Sequence, residues 1–434
     1  MLQNKEYIYH SNKKIEKILK SFFLLHPKNV DLSLNRIKRL LFKLNNPHLK
    51  IRNVVQIAGT NGKGSIATIL YQLQKSNGKK VNIYRSPHLI SFNERIHICN
   101  KQISNKYLIE ILEYVKEKNN NDPITFFEII TAATFYVFSI NKADITILEV
   151  GLGGRLDATN VYDRNLVSII STIGIDHQEY LGKNIQAIAN EKAGIIKKKG
   201  IVISSKQKNT ANNVIKKKSK EMDSKLLSFN KDWKLINKKI IYGEKKINLE
   251  NLALVGEHQL INASCAILAC LSTRNLNIDT EKLEKTLTQL KWPGRIQNLK
   301  GPFYKKFNNL NIWVDVAHNV LGFEVLKNWL VEKSIDDPIL IMALGIKKDY
   351  KNILKQIKRI KPGLLVFLRK TKLNSHSPNT LKKASLNLNI RSLVYNDVFH
   401  ALKNIQSGMT GEKKKTVIVT GSIALVGSVL FKNK

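Results

Sequence analysis

The stretch Gly59-Thr60-Asn61-Gly62-Lys63-Gly64-Ser65 sets three glycines around a single lysine. Glycines let a backbone come close to an anion, the N–H groups of such a turn can converge on phosphate oxygens, and a lysine adds a point charge. The strict G-x-x-x-x-G-K-[ST] pattern is not met: Ile57 stands at the first glycine position, Gly64 at the hydroxyl position, and Ser65 one place later. The context carries the reading. An apolar β-branched run (Val54, Val55, Ile57) precedes the turn, and helical spacing (Ile66, Ile69, Leu70, Leu73) follows it. The loop therefore lies between a buried strand and a helix N-terminus, where anions are favoured. The competing reading is a glycine-rich corner that only closes a strand–helix turn.

Hard oxygen donors come next. Residues 143–150, A-D-I-T-I-L-E-V, read as a buried parallel strand ending at Glu149. A buried glutamate is costly unless it meets a cation, so this position calls for Mg2+, which takes hard oxygens and keeps several waters, or for a partner such as Arg155 or a lysine. Ser86 follows a strand expected at 80–84, and His177 follows one expected at 166–170. Both lie past strand carboxyl ends, where ligands sit in open α/β sheets. Alone they are a turn serine and a structural histidine; in one sheet with Glu149 they are candidate ligands. Lys192 falls among Ile188, Ala189, Ala193 and Ile195, half-buried by pattern. It is either a lysine of depressed pKa open to modification or one that snorkels to solvent. Thr125-Phe126-Phe127-Glu128 opens an apolar helix to about Ile140, with Thr125 as N-cap and Glu128 completing a capping box. The two phenylalanines are core residues or an aromatic wall for a flat ring.

These groups need a parallel sheet that ends them together, and 434 residues with 43% hydrophobic content suffice for two or three domains. Residues 1–50 read as lysine-rich helices. After Trp292-Pro293-Gly294-Arg295 a fresh strand–helix alternation starts, with strands at 312–316, 339–344, 364–367, 392–394 and 416–419. The predicted fold is α/β: a phosphate-loop domain with a mainly parallel sheet over 1–294, and a smaller Rossmann-like α/β domain over 295–434. Residues 197–246 carry many lysines and only weak element signals. The formal net charge is +39, and nucleic acid is the first partner such a value suggests. The lysines, however, are spread along the whole chain, with no stretch interleaving aromatics and arginines. No specific nucleic-acid partner is expected. Cys99, Cys265 and Cys270 form no C-x-x-C and no paired framework, which suits a reducing compartment. No signal segment or span is expected, hence no membrane and a cytoplasmic location.

Read in order, A-G-T-N-G-K-G-S, S-P-H-L, F-N-E-R-I, T-F-F-E, E-V-G-L-G-G-R-L-D-A-T-N, D-H, E-K-A-G-I, G-E-H-Q-L-I-N-A, P-G-R, D-V-A-H-N and T-G-S-I resemble the folylpolyglutamate synthase and dihydrofolate synthase family of the Mur ligase superfamily, in its bacterial bifunctional form. The resemblance runs from about Asp31 to the end. It implies an ATP-dependent ligase that adds L-glutamate to dihydropteroate and to reduced folates such as tetrahydrofolate through an acyl phosphate. It implies that Gly59 to Ser65, with Lys63, hold the nucleotide phosphates, and that Asn262 and Arg295 contact the nucleotide. Asp315 and His318 of the second domain reach ribose and phosphate. Ser86 and Glu149 would hold one Mg2+, and Glu149 and His177 a second. Lys192 matches the lysine that the family carbamylates, and Thr125, Phe127 and Ala158 fall where the pterin-bearing substrate is held. Lys63, Lys192 and His318 are the catalytic candidates, and a monomer is expected. Arg85 departs from the pattern, since a small hydroxyl residue is more usual before S-P. Alternatives at this point are a folylpolyglutamate synthase only, another Mur-type amide ligase, and, from a different class, a basic phosphate-loop protein that binds nucleic acid.

Overall fold

A computed structural model describes residues 10–28, 30–371, 374–408 and 414–433. The chain divides into two compact units, one of His10–Ala253 and His258–Lys291, the other built mainly from Trp292–Lys434 with Leu254–Glu257. The W-P-G-R turn belongs to the second unit. The Val316 N–H donates to Gly294 O (3.1 Å), and the Ile296 N–H to Asp315 Oδ2 (2.9 Å).

The first unit is built on an eight-stranded sheet: β1 (Val54–Ala58), β2 (Val81–Tyr84), β3 (Ile96–Ile98), β4 (Lys101–Gln102), β5 (Ile145–Glu149), β6 (Val167–Ile170), β7 (Ile201–Ser204) and β8 (Lys225–Ser228). The spatial order is β4-β3-β2-β5-β1-β6-β7-β8. From β2 to β8 every pairing is parallel, and β3 and β4 add an antiparallel edge. All residues of β1, β2, β5 and β6 are buried, as strands covered on both faces must be. Helices Lys63–Ser76 and Phe126–Ile140 cover this centre, with nine and twelve buried residues. The Thr125 capping box forms as its sequence predicts, and Arg36 Nε reaches the same Glu128 carboxylate at 3.0 Å.

One stretch shows more structure than its sequence signals. The lysine-rich residues 197–246 hold two further parallel strands, β7 and β8, separated by helix Asn209–Glu221, and most of a small antiparallel sheet of β9 (Lys234–Ile236), β10 (Lys239–Tyr242) and β11 (Lys245–Asn248). The helix buries only Ala211, Ile215 and Ser219, so its apolar stripe is too thin to show above the lysines. Residues 91–98 form a 3-10 turn and strand β3 with Phe92, Asn93 and Arg95 buried; the Asn93 amide bonds His10, Ile103 O and Asn105, and Arg95 Nε donates to His88 Nδ1.

In the second unit β12 (Gln297–Asn298), β13 (Leu310–Val314), β14 (Ile339–Met342), β15 (Leu364–Leu368), β16 (Ser392–Tyr395) and β17 (Lys415–Thr420) lie in the order β12-β13-β17-β14-β15-β16. All pairings but β12–β13 are parallel. Its core includes Phe323, Trp329, Met342, Ile357 and Phe367. Among the described residues no helix is long and apolar enough to cross a membrane.

Candidate active site

Register brings the first unit's candidates to one edge. Ile57 of β1 pairs with Glu149 of β5, Leu148 with Tyr84 of β2, and Ala58 with Ile170 of β6. The Gly59–Ser65 loop, Ser86, Glu149 and the segment leading to His177 therefore all leave the carboxyl ends of four adjacent strands, the place where parallel sheets present ligand sites.

The loop enters its helix through Gly62, which has φ +92°, and a Cβ there would lie 2.5 Å from Asn262 Oδ1. Both facts restrict the position to glycine. Asn262 is buried and donates to Gln259 Oε1 (3.1 Å), which fixes it against the loop. The Thr60 hydroxyl donates to Gly174 O and accepts from Gly174 N–H, each at 3.0 Å, and the Thr60 and Asn61 N–H groups donate to Thr172 O. Ser65 is buried in the first turn of the helix. The loop is thus tied to the segment after β6 before any ligand arrives.

Two lysines meet at one carbonyl. Lys63 Nζ donates to Gly59 O (3.0 Å) and Thr60 O (3.2 Å), and Lys192 Nζ donates to the same Gly59 O (3.0 Å). Lys192 is 4% exposed. Burial, then the Lys63 charge, pulls its pKa from 10.5 to about 7, against the opposing pull of Asp176, Asp157 and Glu191. The snorkelling alternative is therefore excluded: the ammonium end is inside. Packing of the G-L-G-G-R loop holds the helix end that carries it. The Arg155 N–H donates to Glu191 O (2.7 Å), and a Cβ on Gly154 would come within 2.7 Å of that carbonyl.

Glu149 is 5% exposed, and its Oε2 accepts the Ser86 N–H at 3.2 Å. Arg155, a partner considered for it, instead pairs with Glu191 Oε1 (2.8 Å). Ser86 Oγ is buried without a hydrogen-bond partner. An orphaned hydroxyl beside a buried carboxylate is a donor set that fits Mg2+, a cation that completes its shell with waters and phosphate oxygens. Among the described residues no three His, Cys, Asp or Glu side chains are gathered tightly enough to hold a metal alone. His177 has φ +52°, its side chain is 44% exposed, and its Nε2 lies 3.9 Å from Asp176 Oδ2.

Of the acceptor-site candidates, Thr125 and Ala158 are buried and Phe127 is half-buried. The Phe127 ring stacks on Tyr84 with centroids 6.0 Å apart and occupies the space a Cβ on Gly151 would need, 2.4 Å from Cζ. Two carboxylates escaped the sequence reading. Asp157 accepts from the N–H groups of Leu152 and Thr159 and from the Thr159 hydroxyl, with burial raising its pKa above the usual 3.8. Asp176 has a side chain only 11% exposed and attracts Lys192. Each lies inside a motif, but nothing in composition separates such an aspartate from a turn residue.

The second unit makes its own cluster. Asp315 is buried, accepting from the Ile296 and Ala317 N–H groups (2.9 and 2.8 Å). Burial raises its pKa and Arg295 opposes this. The Arg295 guanidinium lies 5.4 Å from the Trp292 ring centroid. His318 Nδ1 lies 2.8 Å from Val316 O; a carbonyl only accepts, so Nδ1 carries a proton.

The chain is similar to known proteins in both sequence and fold. The Mur ligase middle domain model matches residues 57–270. A dihydrofolate synthase/folylpolyglutamate synthase of Buchnera aphidicola subsp. Schizaphis graminum is 34% identical over 379 residues, 86% of each chain. Among solved structures, a folylpolyglutamate synthase of Thermotoga maritima has 29% identity and a TM-score of 0.77, covering 96% of both chains. A bifunctional folylpolyglutamate synthase/dihydrofolate synthase with Mn, AMPPNP and L-glutamate bound has 25% identity and a TM-score of 0.82, covering 95% of this chain and 96% of that one. The chain belongs to the dihydrofolate synthase/folylpolyglutamate synthase family of Mur-type ligases.

Proposed function

We propose that this chain is an ATP-dependent ligase that joins the amino group of L-glutamate to the carboxylate of dihydropteroate and of reduced folates. The observation that carries the reading is the gathering, at one sheet edge, of the Gly59–Ser65 loop, the Glu149–Ser86 pair and a buried Lys192 whose pKa lies near 7. The names of its relatives and the nucleotide, metal and glutamate in a solved one support it.

In this reading the N–H groups of the Gly62–Ser65 turn and Lys63 take the nucleotide phosphates at the helix N-terminus. Lys63 exchanges the carbonyls of Gly59 and Thr60 for phosphate oxygens. Arg295, Asp315, His318 and Asn262 are further nucleotide contacts. Glu149 and Ser86 are suited to one Mg2+, and Glu149 and His177 to a second with a modified Lys192 beside it; Mg2+ would supply neutralisation of phosphate charge. The modification is a carbamate: the neutral Lys192 amine adds to the carbon of CO2 and loses a proton to water, which turns a cation into a carboxylate. Phe127 offers a ring face to the pterin, and Thr125 and Ala158 are further contacts of that substrate.

A carboxylate oxygen of the acceptor attacks the γ-phosphorus, ADP leaves, and an acyl phosphate forms. Charge neutralisation and positioning by Lys63 assist that step. The free-base amine of L-glutamate then attacks the acyl carbon, and phosphate departs as the amide forms. The enzyme acts as a cytoplasmic monomer in this reading, and its net charge of +39 gives only salt-sensitive attraction to polyanions.

The test is ATP-dependent phosphate release with Mg2+ and L-glutamate, comparing dihydropteroate with tetrahydrofolate. Release with both, lost without glutamate, is expected. Release with tetrahydrofolate alone removes the first activity, and none with either acceptor, from folded protein that binds ATP, overturns the assignment.

A further inference from the structure

The ladder between β6 and β7 ends at Ile170 and Ser204, with one more bond where the Ser205 N–H donates to Ile170 O (3.0 Å). Because β6 lies between β1 and β7, residues 171–174 run between the phosphate loop and the chain leaving β7. On one side they carry the first half of the loop. The Ser171 N–H donates to Ala58 O (2.8 Å), and a Cβ on Gly59 would fall 1.8 Å from Ser171 Oγ. Thr172 O takes the Thr60 and Asn61 N–H groups, and Gly174 exchanges two bonds with the Thr60 hydroxyl.

On the other side stands Gln207. Its Oε1 accepts the Ile173 N–H (3.0 Å). Its Nε2 donates to Ser171 O (3.0 Å), with longer approaches to Ser205 Oγ (3.3 Å) and Ile170 O (3.4 Å). A primary amide offers an acceptor and donors on one planar group, as a peptide unit does. Gln207 thereby continues the ladder past the end of β7 and satisfies the N–H of Ile173, a residue only 1% exposed. Thr172 and Gly174, the partners of the loop, flank the residue so held.

We propose that Gln207 is a positioning residue for nucleotide binding: by holding Ser171 and Ile173 it fixes Thr172 O and Gly174, which set the phosphate loop in its binding form before the nucleotide arrives. Such pre-organisation lowers the cost of binding. The inference rests on the phosphate-loop reading given above.

The test compares the full chain with Gln207→Met, which keeps the stem and removes the amide, and with Gln207→Glu. The glutamate keeps an acceptor for Ile173 but sets a carboxylate oxygen against the Ser171 carbonyl. The ADP dissociation constant is measured by calorimetry in MgCl2, and the KM for tetrahydrofolate at saturating ATP. Both variants should bind ADP about tenfold more weakly, with the tetrahydrofolate KM within about twofold of wild type. Gln207→Glu decides the matter where the methionine variant fails to fold. The route is checked in a Thr60→Val background, which lacks the hydroxyl bonds to Gly174: there the Gln207→Met penalty on ADP should shrink to about threefold or less. A folded variant whose ADP affinity stays within about twofold of wild type overturns the proposal. So does a tetrahydrofolate KM that rises in step, as a general loosening would give, or an equal penalty with and without the Thr60 hydroxyl. A wild type that binds no ADP overturns the phosphate-loop reading as well.

Discussion

Lys192→Met removes an ammonium while keeping the length and most of the apolar stem, so it isolates the charge. The folded-state pKa of about 7 lies below the ordinary 10.5, and the consequence for stability has a definite sign. Below pH 7 the lysine is protonated in both folded and unfolded chains, and the cost of burying the charge is carried in full. Between pH 7 and 10.5 the unfolded chain holds the proton and the folded one does not, so wild-type stability rises with pH; above 10.5 the cost is gone. The two pKa values set a ceiling of about 5 kcal/mol on this effect, less ~1 kcal/mol for the hydrogen bond to Gly59 O that methionine forfeits. Lys192→Met should therefore melt above wild type at pH 6.5, with the gap closing by pH 9.5. The same pKa leaves roughly nine-tenths of Lys192 as free amine at pH 8, against about three in a thousand for a lysine at 10.5. That difference makes carbamylation feasible at ambient CO2. Protein equilibrated with 13C-bicarbonate should show a carbamate carbonyl resonance that Lys192→Met lacks, and the variant should lose about 100-fold in turnover. A melting difference that does not vary with pH would refute the burial argument. A wild type without the resonance and a variant with full turnover would refute the carbamate.

Lys63→Met should raise the ATP dissociation constant by roughly 10- to 100-fold in calorimetry, since its Nζ, which donates to carbonyls of its own loop, is the charge placed for the phosphates. Gly62→Ala forces a Cβ against Asn262 at φ +92° and should cost ~1–3 kcal/mol in urea denaturation together with nucleotide affinity; wild-type ATP binding by this variant would show that the loop geometry is not needed. Gly151→Ala should push the Phe127 ring aside, raising the KM for the pterin-bearing acceptor several-fold with the ATP dissociation constant unchanged. An equal loss for both substrates would place Phe127 outside the acceptor site.

The sequence determined the elements whose signal is local. Val54–Ala58 carries the β-branched apolar residues Val54, Val55 and Ile57, Thr125 and Glu128 cap each other within four residues, and both elements appear as expected. The phosphate loop was legible because glycine and lysine in that order have few other uses. The alternation after Trp292 was legible because parallel strands buried on both faces must be continuously apolar. Residues 197–246 hid β7 and β8 because a surface helix with three buried side chains gives almost no periodic signal among lysines. Pairings between distant residues were beyond the sequence for a different reason: they depend on register. Only the parallel alignment of β1, β2, β5 and β6 sets Ser86 on Glu149. Only the closure of the G-L-G-G-R loop on Glu191 drives Lys192 inward to share Gly59 O with Lys63. The partner of Arg155 was likewise decided in three dimensions: six residues along the chain from Glu149, it turns to Glu191.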